Sequence, residues 1–449
     1  MAVNRKSFDT LIIGLGKTGM SCVRYLANRD VSSFAVVDSR EHPPELSSLN
    51  RDFPEVPLYL GSFHEEIISA AGRLIVSPGV SLEESVIRRA SDNGVKIIND
   101  IEIFCREAAA PVIAVTGSNG KSTVATLVTE MINQAGKRAL LGGNIGTPAL
   151  DLLNEETPDY YVLELSSFQL EPLASLNATA SAVLNISEDH MDRYSDIHQY
   201  AEVKKKIYAG NGLMVINLDD PLISEFDRNG RRTSLFTLNE PDEGIFGLRN
   251  ISGRRCLAYG TEEICPVSSI KLHGDHNLSN CMAALALAGS TGLSTELMVN
   301  ALVSFSGLPH RCQWVARKNG VDWYNDSKGT NVGASCAAIK GLCVSGPVIL
   351  IAGGTGKGAD FSRLAEMSAA HCRHVILLGR DADLLAQAMA GLVPFTKVQS
   401  MGEAVQTAAR VARAGEAVLL SPACASFDMF ENYEERGRTF RDLVQALKH

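Results

Sequence analysis

The sequence of 449 residues predicts an α/β protein of three consecutive domains, at residues 1–99, 100–307 and 308–449. Strand patterns alternate with helix patterns along the whole chain, which favours mostly parallel sheets covered by helices on both faces. Two of the strands run into glycine-rich loops, Gly14–Gly19 and Gly117–Lys121, that begin helices. A third series of strands ending in glycine or polar residues occupies the last third of the chain.

Composition is that of an ordinary globular protein, with 45% hydrophobic and 21% charged residues. A net charge of −9 argues against a nucleic-acid partner. The ten cysteines form no CxxC pair and mostly lie in apolar runs, as buried reduced thiols do. No apolar run reaches the roughly 18 residues needed to span a bilayer, and the N-terminal segment does not fit a signal peptide. We therefore expect a cytoplasmic monomer that binds neither nucleic acid nor membrane.

The first domain opens with a nucleotide-binding pattern. A strand at Thr10–Ile13 runs into GLGKTG and a helix, and a second strand at Phe34–Val37 is closed by Asp38. This order matches the Rossmann fingerprint, in which a diphosphate lies at the helix N-terminus. The pattern is shared by nicotinamide cofactors and other nucleotides. We predict a Rossmann-like domain and leave its nucleotide open.

The second glycine-rich loop predicts a polyphosphate site of the P-loop type in the central domain. Val112–Val115 form a buried strand pattern, Gly117–Lys121 form the loop, and a helix pattern begins at Ser122. Backbone N–H groups of such a loop cradle phosphates, Lys121 adds a charge, and Ser122 or Thr123 can hold Mg²⁺. The alternative is a glycine turn with a solvated lysine. The two glycines enclose two residues, whereas the common phosphate loop has four between them.

Polar residues of the central domain gather at the C-terminal ends of two strand patterns, Tyr160–Ser167 and Ser181–Ser187, where ligands of parallel sheets lie. They are Glu164, Ser166, Ser167 and Gln169 in the first, and Asn185, Glu188, Asp189, His190 and Asp192 after the second. A buried carboxylate among apolar neighbours is costly without a cation, which favours metal binding by Glu164 over helix capping. For His190 the alternative is a structural histidine in the core or in a turn. Asn277 and Asn280 open a later helix, and for Asn277 the alternative is helix capping.

The third domain repeats the strand-to-loop transition four times, in VDWYNDSKGTN, VILIAGGTGKGADF, HVILLGRDA and AVLLSPACASFDMFENYEERG. This predicts a C-terminal Rossmann-like domain. Charged and hydroxyl residues at its strand ends are Asp326, Lys328, Lys357 and Ser426. The alternatives are a solvated turn lysine for Lys357 and a helix-capping serine for Ser426.

These motifs together resemble the Mur ligase family, whose members use ATP to join an amino acid to a carboxylate. The motifs, which occur in the family's order over all three domains, are GLGKTGMS, GSNGKST, GGNIG, LELSSFQLE, EDHMDRY, LPHRCQW, NDSKGTN and SPACASFDMF. NDSK and SPACAS are more specific than the glycine loops. The resemblance is to the family branch that adds D-glutamate to UDP-N-acetylmuramoyl-L-alanine through an acyl phosphate, and it implies these two substrates and ATP.

The resemblance implies that the first domain binds the UDP-sugar. The residues near its diphosphate would be Lys17, Thr18 and Gly19, and those near the uridine would be Asp38, Ser39 and Arg40. The residues lining its path to the reaction centre would be Ser77, Asn144, Ser166, Gln169 and His190. Asp38 is then placed near UDP rather than a nicotinamide cofactor.

The resemblance also implies the ATP and D-glutamate sites. The ATP loop would be Gly117, Ser118, Asn119, Gly120, Lys121, Ser122 and Thr123, with further nucleotide contacts from Asn277, Asn280, Arg311 and Asp326. The D-glutamate pocket would be formed by Lys328, Thr330, Lys357, Ser426 and Tyr433. Tyr433 stands where the family often has phenylalanine.

Amide formation from a carboxylate needs phosphoryl transfer, whose catalysis is mostly positioning and charge neutralisation. The resemblance implies catalytic roles for Lys121, His190 and Lys204, and two Mg²⁺ ions held by Ser122, Glu164, His190 and a carbamylated lysine. Of three consecutive lysines, only Lys204 shares the apolar helix face that includes Tyr200. We therefore expect N-carboxylysine at Lys204, with a snorkelling lysine as the alternative.

Three rival classes remain. A folylpolyglutamate synthetase shares the ATP loop, but that family lacks an N-terminal nucleotide domain like residues 1–99. A nicotinamide-dependent oxidoreductase explains GLGKTG and leaves GSNGKST without a role. A nucleotide-regulated binding module needs no constellation of Glu164, His190 and Lys357.

Overall fold

The computed structural model describes residues 8–447 except 30, 32, 188–192, 229, 273, 344–345 and 357. Its contacts divide the chain into two compact units, Met1–Cys265 with Ser279–Leu302, and Pro266–Leu278 with Val303–His449. Three sheets flanked by helices confirm the predicted α/β class. The domain boundaries after residues 99 and 307 stay predictions. Among the described residues, the helices are all too short or too polar to cross a bilayer.

The first sheet has five parallel strands in the order β3-β2-β1-β4-β5. The strands are β1 Thr10–Ile13, β2 Phe34–Asp38, β3 Leu58–Leu60, β4 Arg73–Val76 and β5 Lys96–Ile98. The helices are α1 Lys17–Ala27, α2 Leu46–Asp52, α3 Glu65–Ser69, α4 Ser85–Asp92 and α5 Asp100–Glu107. The strand order reverses between β1 and β4, and this switch point opens a ligand crevice at the strand C-terminal ends.

The second sheet has nine strands in the order β14-β13-β12-β11-β10-β9-β6-β8-β7. The strands are β6 Val112–Thr116, β7 Ala139–Gly143, β8 Tyr160–Glu164, β9 Ala180–Val183, β10 Leu213–Asn217, β11 Thr233–Phe236, β12 Ile245–Ile251, β13 Arg254–Tyr259 and β14 Glu262–Pro266. The helices that follow these strands are α6 Lys121–Gln134, α7 Ala149–Leu152, α8 Ser167–Leu170, α9 Ile197–Lys205, α10 Pro221–Ser224, α11 Asp275–Gly289 and α12 Thr295–Ser304. Pairing is parallel from β7 to β12 and antiparallel between β12 and β13, so the sheet is mostly parallel as predicted.

The third sheet has six strands in the order β15-β16-β20-β17-β18-β19. The strands are β15 Gln313–Lys318, β16 Val321–Asn325, β17 Val348–Gly353, β18 Cys372–Leu378, β19 Phe395–Lys397 and β20 Ala417–Leu420. The helices are α13 Val332–Leu342, α14 Ser362–His371, α15 Ala382–Met389, α16 Met401–Val411 and α17 Tyr433–Ala446. Only the edge pair β15 and β16 is antiparallel among the pairings of these strands.

Alternation along the central strands builds the cores. In β17, Leu350 packs into a cluster on one face of the third sheet, and Ile349 and Ile351 pack into a cluster on the other. In the first unit, one cluster contains side chains of β1, of α5 and of β6, including Ile12, Phe104 and Ala114. The first two sheets therefore share a continuous core through α5.

Candidate active site

The phosphate loop, Gly117–Lys121, follows β6 and is closed by the first turn of α6. Gly117 and Gly120 have φ values of +151° and +82°, a region that favours glycine. A Cβ on Gly120 would lie 2.3 Å from Asn280 Oδ1 and would displace that amide. The helix begins at Lys121, one residue before the predicted start, and its N-terminal N–H groups can bind an anion.

Two lysine side-chain nitrogens converge on the carbonyl of Gly117. Lys121 Nζ donates to Gly117 O at 2.8 Å and to Ser118 O at 2.9 Å. Lys204 Nζ donates to the same Gly117 oxygen at 3.0 Å and lies 3.4 Å from Thr116 Oγ1. Two lysine nitrogens therefore lie beside the loop, and the charge of Lys121 would attract a polyphosphate there.

Lys204 is deeply buried, whereas the two lysines that follow it are not. Its exposed fraction is 1%, and Nζ lies 4.5 Å from the ring centroid of Tyr200. Lys205 is half-buried and Lys206 is exposed. The expectation that Lys204 occupies the buried face of α9 is confirmed, and its chemical modification stays a prediction.

Glu164 ends β8 with its carboxylate buried, at 2% exposure. Oε1 accepts a hydrogen bond from Asn144 Nδ2 at 2.8 Å. Within the part of the chain that the structure describes, Oε2 accepts no hydrogen bond. A buried carboxylate oxygen without a donor is costly, and a hard cation such as Mg²⁺ would satisfy it. Ser122, 4% exposed in the first turn of α6, is the hydroxyl predicted to share that cation.

A cleft of about 550 Å³ opens at the switch point of the first sheet. Its walls come from the loops after β1, β2, β3 and β4 and from the segments after β7 and β8. The predicted UDP-sugar residues that line it are Lys17, Thr18, Asp38, Ser39, Arg40, Ser77, Asn144 and Gln169. Asn144 therefore lies in the cleft wall and at the same time donates to Glu164.

Asp38 is held by four donors at the floor of this cleft. Its carboxylate accepts from Leu15 N at 2.7 Å and from the Arg40 N, Nε and Nη2 atoms at 2.9, 2.9 and 2.7 Å. Burial opposes ionisation, but the bonds from Arg40 and Leu15 outweigh it and lower the pKa of Asp38. Both carboxylate oxygens are thus engaged with the protein, and the exposed edge of the pair is the Arg40 guanidinium.

A second polar group lies in the third domain, and we call it the Asp326 cluster: Asp326, Ser327, Cys312, Ser421 and Arg436. Asp326 Oδ1 accepts from Cys312 N at 3.1 Å, and Oδ2 accepts from Ser421 Oγ at 2.7 Å. Burial raises the pKa of the Asp326 carboxyl to about 6. Its hydrogen-bond partners are neutral, and these bonds together with the Arg311 charge offset only part of the effect of burial.

Arg436 of α17 completes the Asp326 cluster from the other side. Its guanidinium, 2% exposed as a residue, donates to Ser327 Oγ at 3.0 Å, Ser327 O at 2.8 Å and Cys424 O at 3.1 Å. Burial lowers the pKa of Arg436 to about 10. The arginine therefore ties the loop after β16 to the loop after β20 and to α17.

The predicted D-glutamate residues border this cluster. Lys328 Nζ lies 5.4 Å from the Tyr433 ring centroid, and Tyr433 O accepts from Ser327 Oγ at 2.8 Å. Ser426 is 3% exposed, while Lys328 and Thr330 are exposed. Burial, followed by a hydrogen bond with Glu434, raises the pKa of Tyr433 to about 12, so its hydroxyl stays protonated at neutral pH.

Several predicted residues do not line the cleft or lie outside the described residues. His190 and Lys357 lie outside the described residues. Gly19 packs against the loop instead of lining the cleft, since a Cβ there would lie 1.9 Å from Gly14 O. Ser166 forms a capping box with Gln169 at α8 and is absent from the cleft lining.

Helix α11 begins earlier than expected, which changes the reading of its asparagines. It starts at Asp275, so Asn277 and Asn280 lie inside the helix. Asn277 is therefore not at the N-cap position. Asn280 stands against the phosphate loop at Gly120. Asn277 and Arg311 belong to the second unit, and their nucleotide contacts stay predictions.

Three functional candidates were missed from the sequence. Phe63 and the turn Pro78–Gly79 line the cleft, and Arg436 organises the Asp326 cluster. The turn follows β4, whose neighbour β1 carries the glycine loop, so the switch-point rule was the available signal. Nothing local in the sequence marks Phe63 or Arg436, because their roles depend on segments distant along the chain.

The chain matches known families along most of its length. Family models match at residues 8–99 for the Mur ligase MurD-like N-terminal domain, 115–288 for the Mur ligase middle domain, and 310–424 for the Mur ligase glutamate ligase domain. Among solved structures, it is similar to the UDP-N-acetylmuramate-alanine ligase of Thermotoga maritima, with a TM-score of 0.59 and 17% identity over 98% of this chain and 100% of that one. That likeness supports the fold.

Sequence relatives are much closer. The chain is 52% identical over 439 residues to the UDP-N-acetylmuramoylalanine--D-glutamate ligase of Pseudomonas syringae pv. tomato, covering 97% of this chain and 98% of that protein. It is 50% identical over 438 residues to the protein of the same name from Nitrosococcus oceani, covering 98% and 96%. With three matching domain models and relatives at this identity over nearly its whole length, the chain belongs to the Mur ligase family.

Proposed function

We propose that the protein is an ATP-dependent ligase that joins D-glutamate to UDP-N-acetylmuramoyl-L-alanine, giving ADP and phosphate, in peptidoglycan precursor synthesis. The observation that carries this proposal is the position of Asn144, which lines the cleft and donates to Glu164 beside the phosphate loop. A sugar nucleotide bound in the cleft would extend its carboxylate past Asn144 toward Glu164 and the phosphate loop, where ATP would bind. Half-identical relatives with that ligase name support it.

The phosphate loop would bind ATP and align its γ-phosphate with the substrate carboxylate. Lys121, now bonded to the loop carbonyls of Gly117 and Ser118, would turn its ammonium group to the β- and γ-phosphates. Ser122 and Glu164 offer the hard oxygen atoms that would hold Mg²⁺. When bound, Mg²⁺ neutralises charge on the transferring phosphoryl group.

We assign a second Mg²⁺ to the neighbourhood of Lys204 and His190, with Lys204 as N-carboxylysine. Carbamylation needs a neutral amine, and burial at 1% exposure favours the neutral form of an amine. The carbamate would supply oxygen atoms where the free lysine supplies only hydrogen-bond donors.

The third domain would deliver the amine of D-glutamate to the acyl phosphate. Lys328, with Tyr433 beside it, and Lys357 would bind the two carboxylates, and Ser426 and Thr330 would add hydroxyl donors. The amine then attacks the acyl carbon and phosphate leaves. Arg311, Asp326, Asn277 and Asn280 would hold the base, ribose and phosphates of the nucleotide.

The geometry of Asp38 favours UDP over a nicotinamide cofactor. In dinucleotide-binding domains the acidic residue at this position accepts from a ribose hydroxyl. Here both carboxylate oxygens of Asp38 already accept hydrogen bonds from Leu15 and Arg40. The group presented to the ligand is instead the Arg40 guanidinium, a cation. The folylpolyglutamate synthetase alternative has no counterpart for the matched N-terminal domain at residues 8–99.

The decisive experiment measures phosphate release from ATP with UDP-N-acetylmuramoyl-L-alanine and D-glutamate, L-glutamate or no amino acid. Release that requires the D isomer is expected, and reduction of NAD is not. Equal use of L-glutamate, or release independent of any amino acid, contradicts the proposal. We also propose a cytoplasmic monomer, which light scattering on the purified chain tests at the level of oligomeric state.

A further inference from the structure

A short segment after β9 is hydrogen-bonded to the phosphate loop. We call it the support loop, residues 184–187. The Asn185 side chain bonds the two successive peptide groups on either side of the Asn119 Cα: Asn119 N donates to Asn185 Oδ1 at 2.8 Å, and Asn185 Nδ2 donates to Asn119 O at 3.0 Å. Its backbone takes part as well, since Ser118 N donates to Asn185 O at 2.9 Å.

A second reciprocal pair lies one residue away. Ser118 Oγ donates to Ser187 O at 3.1 Å, and Ser187 N donates to Ser118 Oγ at 2.9 Å. Gly117 packs against the start of the support loop, where a Cβ would lie 3.0 Å from the Leu184 Cβ. Three consecutive residues of the phosphate loop are therefore fixed by the support loop.

The support loop is itself held from behind. Asn217 Nδ2 donates to Leu184 O at 2.8 Å, and Asp220 accepts from Ile186 N at 2.7 Å. Both partners are mostly buried, at 6% and 9% exposure. The support loop is therefore anchored by β10 and the segment after it, independently of the phosphate loop.

Asn119 is the residue of the phosphate loop whose conformation depends most on the support loop. It is exposed, lies at the apex between the two glycines, and belongs to a loop with two residues fewer than the common form. Glycine on one side leaves the adjoining peptide planes free to rotate. Because phosphoryl transfer depends on prior alignment of donors, a rotated apex would misplace the N–H groups that follow it.

We propose that Asn185 is a positioning residue for ATP: it sets the orientation of the peptide groups on either side of Asn119 and thereby the phosphate-binding N–H groups from Gly120 onward. The Asn119 N–H is committed to Asn185 and does not serve phosphate. The proposal rests on the function proposed above for the phosphate loop, and it assigns Asn185 no contact with substrate.

The test compares the wild-type chain with Asn185→Ala, Asn185→Asp and a matched control, Asn133→Ala. Asn133 Oδ1 also accepts a backbone N–H, that of Ala139 at 2.7 Å, but at the opposite end of α6. ADP affinity by calorimetry, KM for ATP, KM for D-glutamate and Tm are measured for each.

Asn185→Ala removes two hydrogen bonds and is expected to raise both the Kd for ADP and the KM for ATP about tenfold. The KM for D-glutamate should change less than about twofold. Asn185→Asp keeps the acceptor for Asn119 N but sets a carboxylate oxygen against Asn119 O, so its loss of affinity should be at least as large. Asn133→Ala should lower Tm without changing ADP affinity.

The proposal is overturned if both Asn185 variants bind ADP as the wild type does, or if Asn133→Ala weakens ADP to the same degree. Should Asn185→Ala fail to fold, Asn185→Asp decides by the same criteria. Calorimetry separates the two proposals: a wild-type chain that binds ADP but releases no phosphate with D-glutamate defeats the ligase assignment alone. A wild-type chain that binds no ADP overturns both.

Discussion

The phosphate loop and the Asp326 cluster hold buried charge in opposite ways. Lys121 bonds carbonyls three and four residues before it in the chain. Asp326 bonds Cys312 and Ser421, which are 14 and 95 residues away, and Arg436 bonds Ser327 across 109 residues. The first is assembled by one strand-loop-helix segment, whereas the second exists only when several segments of the third domain have packed.

This difference separates activity from stability. In the phosphate loop, the lysine charges are additions to a backbone that the glycines and the support loop already shape. In the Asp326 cluster, each charged group is also a structural tie between loops. Substitutions in the loop should therefore cost turnover with little stability, and those in the cluster should cost both.

The largest effect is expected for Lys121→Ala. The variant lacks the lysine charge that would stabilise the transferring phosphoryl group, so kcat should fall about a thousandfold or more. Tm should stay close to that of the wild type, because water can replace the hydrogen bonds from the ammonium group to the loop carbonyls. Turnover assays at saturating ATP, with thermal unfolding in parallel, measure both; near-normal turnover would contradict the assigned role.

Lys204→Ala should come next, with kcat lowered about a hundredfold. A small carboxylic acid added to the assay is expected to restore part of the activity, since it fills the space of a carbamate. Lys205→Ala is the matched control, because Lys205 is the next residue and pairs at the surface with Glu202 at 3.3 Å. Equal loss in the control, or no rescue in Lys204→Ala, would refute the carbamate.

Arg436→Met should affect activity and stability together. It leaves Ser327 O and Cys424 O without their donor, so a loss of about 2–4 kcal/mol in unfolding free energy is expected. The KM for D-glutamate should rise about tenfold, as the loops bearing Lys328 and Ser426 separate. Arg441→Ala is the control, since Arg441 lies on the same helix and pairs with the exposed Asp442 at 2.8 Å. Reduced stability with an unchanged KM would confine Arg436 to a structural role.

The contrast between the two regions also explains what the sequence could predict. The glycine loops, the strands β1 and β6, and the burial of Lys204 follow from patterns contained within about 20 residues, and the structure contains them. The antiparallel strands β13 and β15 were not predicted, because charged residues occupy one end of each and leave only a short apolar run, as in Arg254–Tyr259. The clamp by Asn185 and the ties of Arg436 are contacts between distant segments, and no local periodicity encodes such a partner.

The smallest effect concerns the pH dependence of stability, and it isolates the cost of the buried Asp326 carboxyl. Burial raises its pKa in the folded protein from 3.8 to about 6. Below pH 4 the group is protonated in both the folded and unfolded states, and its contribution to stability is fully present. Between about pH 4 and 6 the unfolded chain is ionised while the folded chain keeps its buried proton, so this stability is lost progressively as pH rises and is gone above the folded pKa.

Asp326→Asn removes this dependence while keeping the hydrogen bonds, because its amide oxygen can accept from Cys312 N and its amide nitrogen can donate to Ser421 Oγ. The variant should gain on the wild type by about 1–3 kcal/mol between pH 4 and 7, with no further change above that. Both tryptophans, Trp314 and Trp323, belong to the third domain, so denaturant unfolding followed by tryptophan fluorescence reports on the region that contains Asp326. Asp383→Asn, at a largely exposed carboxylate, should show no such gain. A gap between Asp326→Asn and wild type that stays constant across this pH range would mean that the Asp326 carboxyl ionises as easily in the folded chain as in the unfolded one, and the Asp326 cluster would then be as well solvated as the phosphate loop.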